Sequence, residues 1–155
     1  MTKLTAGLLM CRKKKGALQF FLVHPGGPFY AKKNEGVWSI PKGLPENGEE
    51  MLETAQREFY EETGIKPLPP FFALGSAKLK SGKVIHAWSF EGEWDSNQAI
   101  VSNTCKIEWP PASKKFIEIP EIDRAEWMSY DKAVTMIHPV QVPFLARAIE
   151  IYESR

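Results

Sequence analysis

Apolar positions in the first part of the chain come in short dense runs rather than at helical spacing. Residues 5–11 ("TAGLLMC") and 17–24 ("ALQFFLVH") are β-prone and flank "RKKKG", which predicts a strand, a charged turn and a second strand. "HPGGPF" breaks regular structure with its prolines and glycines, "AKKNEG" continues as loop, and "VWSI" predicts a short strand. In the next loop, "PKGLPENG", Asn47 followed by Glu50 predicts a helix N-cap with its capping-box partner. Leu52, Ala55 and Phe59, three and four residues apart, then form an apolar stripe on a helix ended by Gly64 and Pro67. "FALGSAKLK" and "KVIHAWSFEGEW" read as strands joined at Ser81-Gly82, "KKFIEIPEIDRAEWMSY" as one or two more, and residues 131–137 and 142–152 as helices. Interspersed strands and helices, with no repeat, low-complexity tract or linker between them, predict a mixed α/β (α+β) fold in one domain over residues 1–155.

Composition adds mainly exclusions. A chain of 155 residues with 43% apolar content suits a single core. Lys plus Arg (20) and Asp plus Glu (19) nearly cancel, so no global field points to a nucleic-acid or membrane partner. Cys11 and Cys105 lie far apart without metal-type spacing, as reduced thiols of a cytoplasmic protein do. "LTAGLLMC" has neither a basic region ahead of it nor a cleavage site, and reads as a strand rather than a signal peptide. No later apolar run approaches the roughly 18 residues of a membrane span. The expectation is a soluble cytoplasmic protein; nothing in its composition fixes an oligomeric state.

Local charge changes the picture. Residues 49–62 hold six glutamates, one arginine and no lysine, whereas a solvated helix commonly mixes Glu with Lys at i,i+4. At about 100° per residue, Glu58, Glu61 and Glu62 share an arc of roughly 100° beside the apolar stripe. Like charges at that spacing cost only roughly a few tenths of a kcal/mol per pair, which a solvated face tolerates. The sharper reading is a cation site, because oxygens converging from one rigid face suit a hard divalent ion that also binds water and phosphate.

These residues resemble a complete Nudix box: Gly43, five residues, Glu49, seven residues, Arg57-Glu58, apolar Phe59, one residue, Glu61-Glu62, one residue, Gly64 and apolar Ile65. The match spans residues 43–65 and fills every constrained position. The resemblance implies the Nudix fold, a mixed β-sheet sandwiched between helices, with the box forming a loop, the catalytic helix and a loop. It also implies metal-dependent hydrolysis of a nucleoside diphosphate linked to a further group, with Mg²⁺ or Mn²⁺ as cofactor. Carried over by position, Glu58, Glu61 and Glu62 bind the metal with the carbonyl of Gly43. Arg57 and Glu49 support them through an ion pair, and Gly43 and Gly64 serve backbone geometry. Glu62 or Glu61 is the first choice as general base. The box does not fix the base in this family, so a later loop can supply it, and Glu118 and Glu121 are the candidates, each readable also as a plain exposed carboxylate.

"VWSIPKG" further resembles the segment before the box in diadenosine polyphosphate hydrolases, and "FLVHPGGPF…AKKNEGVWSIPKG" resembles a bacterial group described as predicted NTP pyrophosphohydrolases. A small-molecule nucleotide is the implied partner: a nucleoside polyphosphate, diadenosine tetraphosphate-like. Lys42 can meet a phosphate as a point charge, with Lys33 or Lys32 at the distal end. Phe29 and Tyr30, in a Gly/Pro loop, can stack on a base, a contact worth roughly 1–3 kcal/mol. Trp38 and Trp88, in strand-like runs, read as core, and His86 as a strand histidine with a leaving-group contact as its alternative. Competing readings are an ADP-ribose or other nucleoside diphosphate-sugar pyrophosphatase, removal of RNA 5′-pyrophosphate, for which no extended basic surface is visible, and a nucleotide-binding protein without chemistry, against which every box acid is present.

Overall fold

The computed structural model describes residues 3–155. Strands β1 (Leu4–Lys14) and β2 (Ala17–Pro25) form an antiparallel hairpin turned at Lys15-Gly16, with Met10 opposite Phe21 and Lys14 opposite Ala17. On its other side β1 pairs in parallel with β5 (Val84–Glu91), which in turn pairs antiparallel with β4 (Phe72–Lys78). Strand β8 (Ile122–Met128) closes the far edge on β2, giving the order β4-β5-β1-β2-β8, and the two-residue β3 (Lys42–Gly43) lies on β1. The central position of β1 explains "TAGLLMC": a strand covered on both faces has no solvent side and need not alternate.

Helix α1 (Met51–Thr63) covers one face of this mixed sheet, while α2 (Tyr130–Met136) and α3 (Val142–Glu153) cover the other. The two-residue period of the strands sorts their side chains between the layers. Leu8, Met10, Phe21 and Val23 meet Ala55 and Phe59 of α1, whereas Leu9, Phe20 and Leu22 meet Phe144, Leu145 and Ala148 of α3. Among the described residues no helix is long and apolar enough to cross a membrane.

The structure departs from the sequence pattern in three places. Asn47 does not cap α1. It forms a turn with Gly48, closed by the Glu49 amide on the Glu46 carbonyl at 3.0 Å, and the cap moves to Glu50, whose amide donates to Glu53 Oε1 at 3.3 Å. "VWSI" makes only single bridges, Ser39 to Val23 and Trp38 to Ile137, because the pairing with β1 is taken by β3 just beyond it. An additional strand, β6 (Thr104–Glu108), pairs with β7 (Phe116–Pro120) as a separate hairpin. That hairpin buries little, so its sequence carries no strong apolar alternation.

Phe59 is fully buried between Phe21 and Phe90, with ring centroids at 5.9 and 5.2 Å. Phe59→Ala is expected to cost about 3–5 kcal/mol by urea denaturation, through lost burial and the cavity left behind. Phe116→Ser, on the 65% exposed residue of β7, should change stability by less than about 0.5 kcal/mol.

Candidate active site

Helix α1 turns the spacing of its glutamates into direction. Phe59 anchors one face in the core, so Glu58 and Glu62, a turn apart, project together beside β3, and Glu62 is 4% exposed. Gly64 ends the helix in the left-handed region (φ 79°), its amide donating to the Tyr60 carbonyl at 2.7 Å. Segment 101–103 then lies along this end: the amides of Val101 and Asn103 donate to the carbonyls of Thr63 and Glu61 at 3.0 and 2.8 Å. On its far side Asn103 accepts from the Glu121 amide at 2.9 Å. Segment 101–103 therefore delivers Glu121 to α1, and the carboxyl oxygens of Glu58, Glu62 and Glu121 come within 4.8 Å of one another.

Three carboxylates this close cannot all ionise freely. Two unit charges about 4 Å apart repel by roughly 4 kcal/mol in a medium of intermediate polarity. Burial, then the charge of Glu58, pushes the Glu62 carboxyl well above its ordinary range. Burial followed by Glu58 and Glu61 raises Glu121 as well. Lys42 faces the cluster; its own burial lowers its pKa, a shift opposed by the negative charges of Glu62, Glu58 and Glu121. Gly43 borders the group so closely that a Cβ there would stand 2.1 Å from the Glu58 carboxyl carbon. All-oxygen donors, two of them on a rigid helix with no room left beside them, fit a hard divalent cation, which Glu58, Glu62 and Glu121 would hold.

Arg57 lies beside this cluster and organises its approach. Its Nε and Nη2 form a two-pronged pair with Glu49 at 2.8 and 3.0 Å, and Nη2 also donates to the Leu44 carbonyl at 2.9 Å. Nη1 reaches Glu58 Oε1 and Glu61 Oε2, both at 2.9 Å. One guanidinium thus ties the loop before α1 to two acids of the helix. The same bonds raise the Arg57 pKa, chiefly through Glu49, and hold the Glu49 carboxyl down at about 2, through Arg57 first and Thr54 second.

The structure separates the remaining candidates. Glu61 is turned to Arg57 and is outside the three-carboxylate cluster. Glu118 sits exposed on β7, where it accepts from Thr104 Oγ1 at 2.7 Å, apart from the cluster. Phe29, Tyr30, Lys33 and Lys42 line one cavity of about 530 Å³ together with Glu62 and Glu121. Lys32 is exposed and does not line it. Trp38 is buried with its Nε1 donating to Asn34 Oδ1 at 2.8 Å, Trp88 packs against the α1-side core, and His86 is half-buried on β5. Cys11 is buried and Cys105 half-buried, and burial raises both thiols.

Sequence reasoning missed Lys83, His138 and Gln141 on the cavity wall. Gln141 is 2% exposed, accepting from the Ile40 amide at 3.0 Å and donating to Ser39 Oγ at 2.9 Å, so it fixes the segment that leads into β3. A polar Gln at the amphipathic start of α3 was its only signal. His138 Nδ1 accepts from the Val140 amide at 3.2 Å, which places a neutral ring's proton on Nε2.

Calorimetric titration with Mn²⁺ should show affinity falling at least about tenfold in Glu58→Gln and Glu62→Gln. Gly43→Ala should lose affinity likewise, because its Cβ displaces the Glu58 carboxyl. A second expectation concerns pH. The folded-state pKa of Glu49, about 2, lies below its unfolded value, so this stabilisation is complete above about pH 4.5 and lost as pH falls toward 2. Denaturant midpoints should therefore drop less steeply across that window in Glu49→Gln than in the parent.

The comparisons with known proteins agree with this arrangement. The profile of the NUDIX domain matches residues 1–148. An RNA pyrophosphohydrolase of Brucella anthropi is 30% identical over 129 residues, covering 74% of this chain and 66% of that protein, so the chain spans about two thirds of this relative. Two solved structures share the fold. A Caenorhabditis elegans (C. elegans) Ap4A hydrolase binary complex aligns with a TM-score of 0.65 at 19% identity over 97% of this chain and 98% of that one. The NUDIX domain of Shewanella oneidensis NrtR complexed with ADP ribose aligns at 0.66 and 17% identity over 98% and 89%. A β-sheet that presses an acidic helix against β3, an arginine that gathers its glutamates and a domain profile that runs through nearly the whole chain have one explanation: the chain belongs to the Nudix family.

Proposed function

We propose that the protein hydrolyses a phosphoanhydride bond of a nucleoside polyphosphate, with diadenosine tetraphosphate as the reference substrate, in a reaction that depends on a divalent cation. The observation that carries this reading is one cavity whose wall includes Glu62, Glu121, Lys42, Lys83, Lys33, Phe29 and Tyr30. Its acids suit the cation, its lysines suit consecutive phosphates, and its aromatic rings suit a base. A divalent ion held by Glu58, Glu62 and Glu121 would neutralise pyrophosphate oxygens and acidify the attacking water.

The chain's own groups do the rest. Lys42 and Lys83 hold phosphates as point charges. Phe29 and Tyr30 meet edge to face at 4.9 Å, with the Lys33 ammonium 3.7 Å from the Phe29 centroid, and offer an aromatic surface to the base. Arg57 engages Glu58 and Glu61, whereas Glu62 and Glu121 line the cavity; Glu121, half-buried there and raised in pKa by burial and then by Glu58 and Glu61, would take the proton of the attacking water through the carboxylate oxygen that does not face the cation.

A second reading, removal of pyrophosphate from RNA 5′ ends, is favoured by the turn at Lys78, Lys80 and Lys83, in a stretch without an acid from Leu68 to Phe90, and by the 30% identical relative. The test is kcat/KM on diadenosine tetraphosphate, ADP-ribose and 5′-triphosphorylated RNA, since that ratio measures transition-state binding. Diadenosine tetraphosphate should be preferred and yield ATP plus AMP, and Glu121→Gln should lower kcat by about 10²–10⁴. A preference for the RNA, with a steep salt dependence, would establish the second reading; a preference for ADP-ribose would overturn both.

A further inference from the structure

His24, near the end of β2, is fully buried, yet it contributes to no step above. Its Nδ1 lies 2.8 Å from Asp123 Oδ1 and its Nε2 lies 2.7 Å from the Lys33 carbonyl oxygen. Both partners are acceptors, a carboxylate and a peptide carbonyl. A neutral imidazole carries one N–H, so it can satisfy one of them and must set a lone pair against the other. Only the imidazolium donates to both. The charged groups around it are Asp123 and Arg124 of β8 and Lys33 of the loop, whose carbonyl it contacts; Arg124 Nε is 3.8 Å from the same Asp123 oxygen. Trp38 closes the site, its ring edge to face with His24 at 5.3 Å.

The Lys33 carbonyl belongs to the loop that carries Phe29, Tyr30 and Lys33 to the cavity. Within that loop the Lys33 amide donates to the Tyr30 carbonyl at 3.0 Å, and Gly36 anchors its far end on the Thr135 carbonyl at 3.1 Å. His24 ties the middle of the loop to the sheet. We propose that His24 is a positioning residue: bridging Asp123 and the Lys33 carbonyl, it holds the aromatic wall of the cavity in place, and nucleotide affinity falls when the bridge is removed. This rests on the reading of the cavity as a nucleotide site, but the bridge itself does not.

The test has two arms, both at constant pH. In the first, ADP binding is measured by calorimetry in EDTA: His24→Phe, which fills the site but donates to neither partner, should weaken it about tenfold or more, and His24→Gln, whose amide can still donate to the Lys33 carbonyl, should recover part of that loss. In the second, turnover of diadenosine tetraphosphate by the same variants should show a raised KM with kcat within about twofold of the parent, because the loop carries the aromatic wall and not the acids. Parent-like ADP affinity in His24→Phe, or a fall in kcat with KM unchanged, would reduce His24 to core packing. If ADP binds as expected and no substrate is turned over, the hydrolytic reading fails and the positioning role stands.

Discussion

Three carboxylates crowded within 4.8 Å are the constraint around which this molecule is built. Left to itself an acidic helix would spread such charges into water, so their convergence has to be imposed by something stronger than their repulsion. The burial of Phe59 and Ala55 against β1 and β2 fixes the rotation of α1, and Arg57 offsets part of the remaining charge by engaging Glu49, Glu58 and Glu61 at once. Core packing thus sets where the charge lies, and the guanidinium holds Glu61 outside the cluster while steadying Glu58 within it.

The same division of labour runs through the opposite wall. Gln141, the N-cap of α3, gives the segment before β3 an acceptor for the Ile40 amide and a donor to Ser39 Oγ, and so fixes the approach to Lys42 and Gly43. Parallel pairing of β1 with β5 brings the β4–β5 turn, with Lys83, to the same end of the sheet. The site is assembled from parts that are remote in sequence and joined by sheet register, by the packing of α1 and by the backbone bonds of segment 101–103.

That assembly also marks what the sequence could disclose. The helix and its acid arc were legible because a fixed 3.6-residue period converts spacing directly into direction. The two layers were legible too, since β1 and β2 are dense apolar runs and α3 is amphipathic. Glu118 and Glu121, three residues apart in "FIEIPEIDRAEW", could not be told apart: which of them meets α1 depends on segment 101–103, held by backbone bonds and by Ser102 Oγ, which accepts from the Ile122 amide at 3.1 Å, and that long-range docking follows no spacing in the sequence. Lys83, His138 and Gln141 were hidden for the same reason, since their place on the cavity follows from sheet register and chain closure. Asn47 misled because a good capping residue is also a good turn residue, and the turn that puts Glu49 on Arg57 claimed it.

The bond between the Asn103 carbonyl and the Glu121 amide also closes the base of the β6–β7 hairpin, with Thr104 opposite Pro120 just above it. Everything beyond that clasp is tethered at both ends to atoms that do not depend on it, and the entropy of closing a loop grows only slowly with its length. The hairpin is therefore an exchangeable module. Descendants of this chain can lengthen, shorten or redecorate it while Glu121 keeps its place, so the surface beyond the clasp is free to diversify around an unchanging acidic centre.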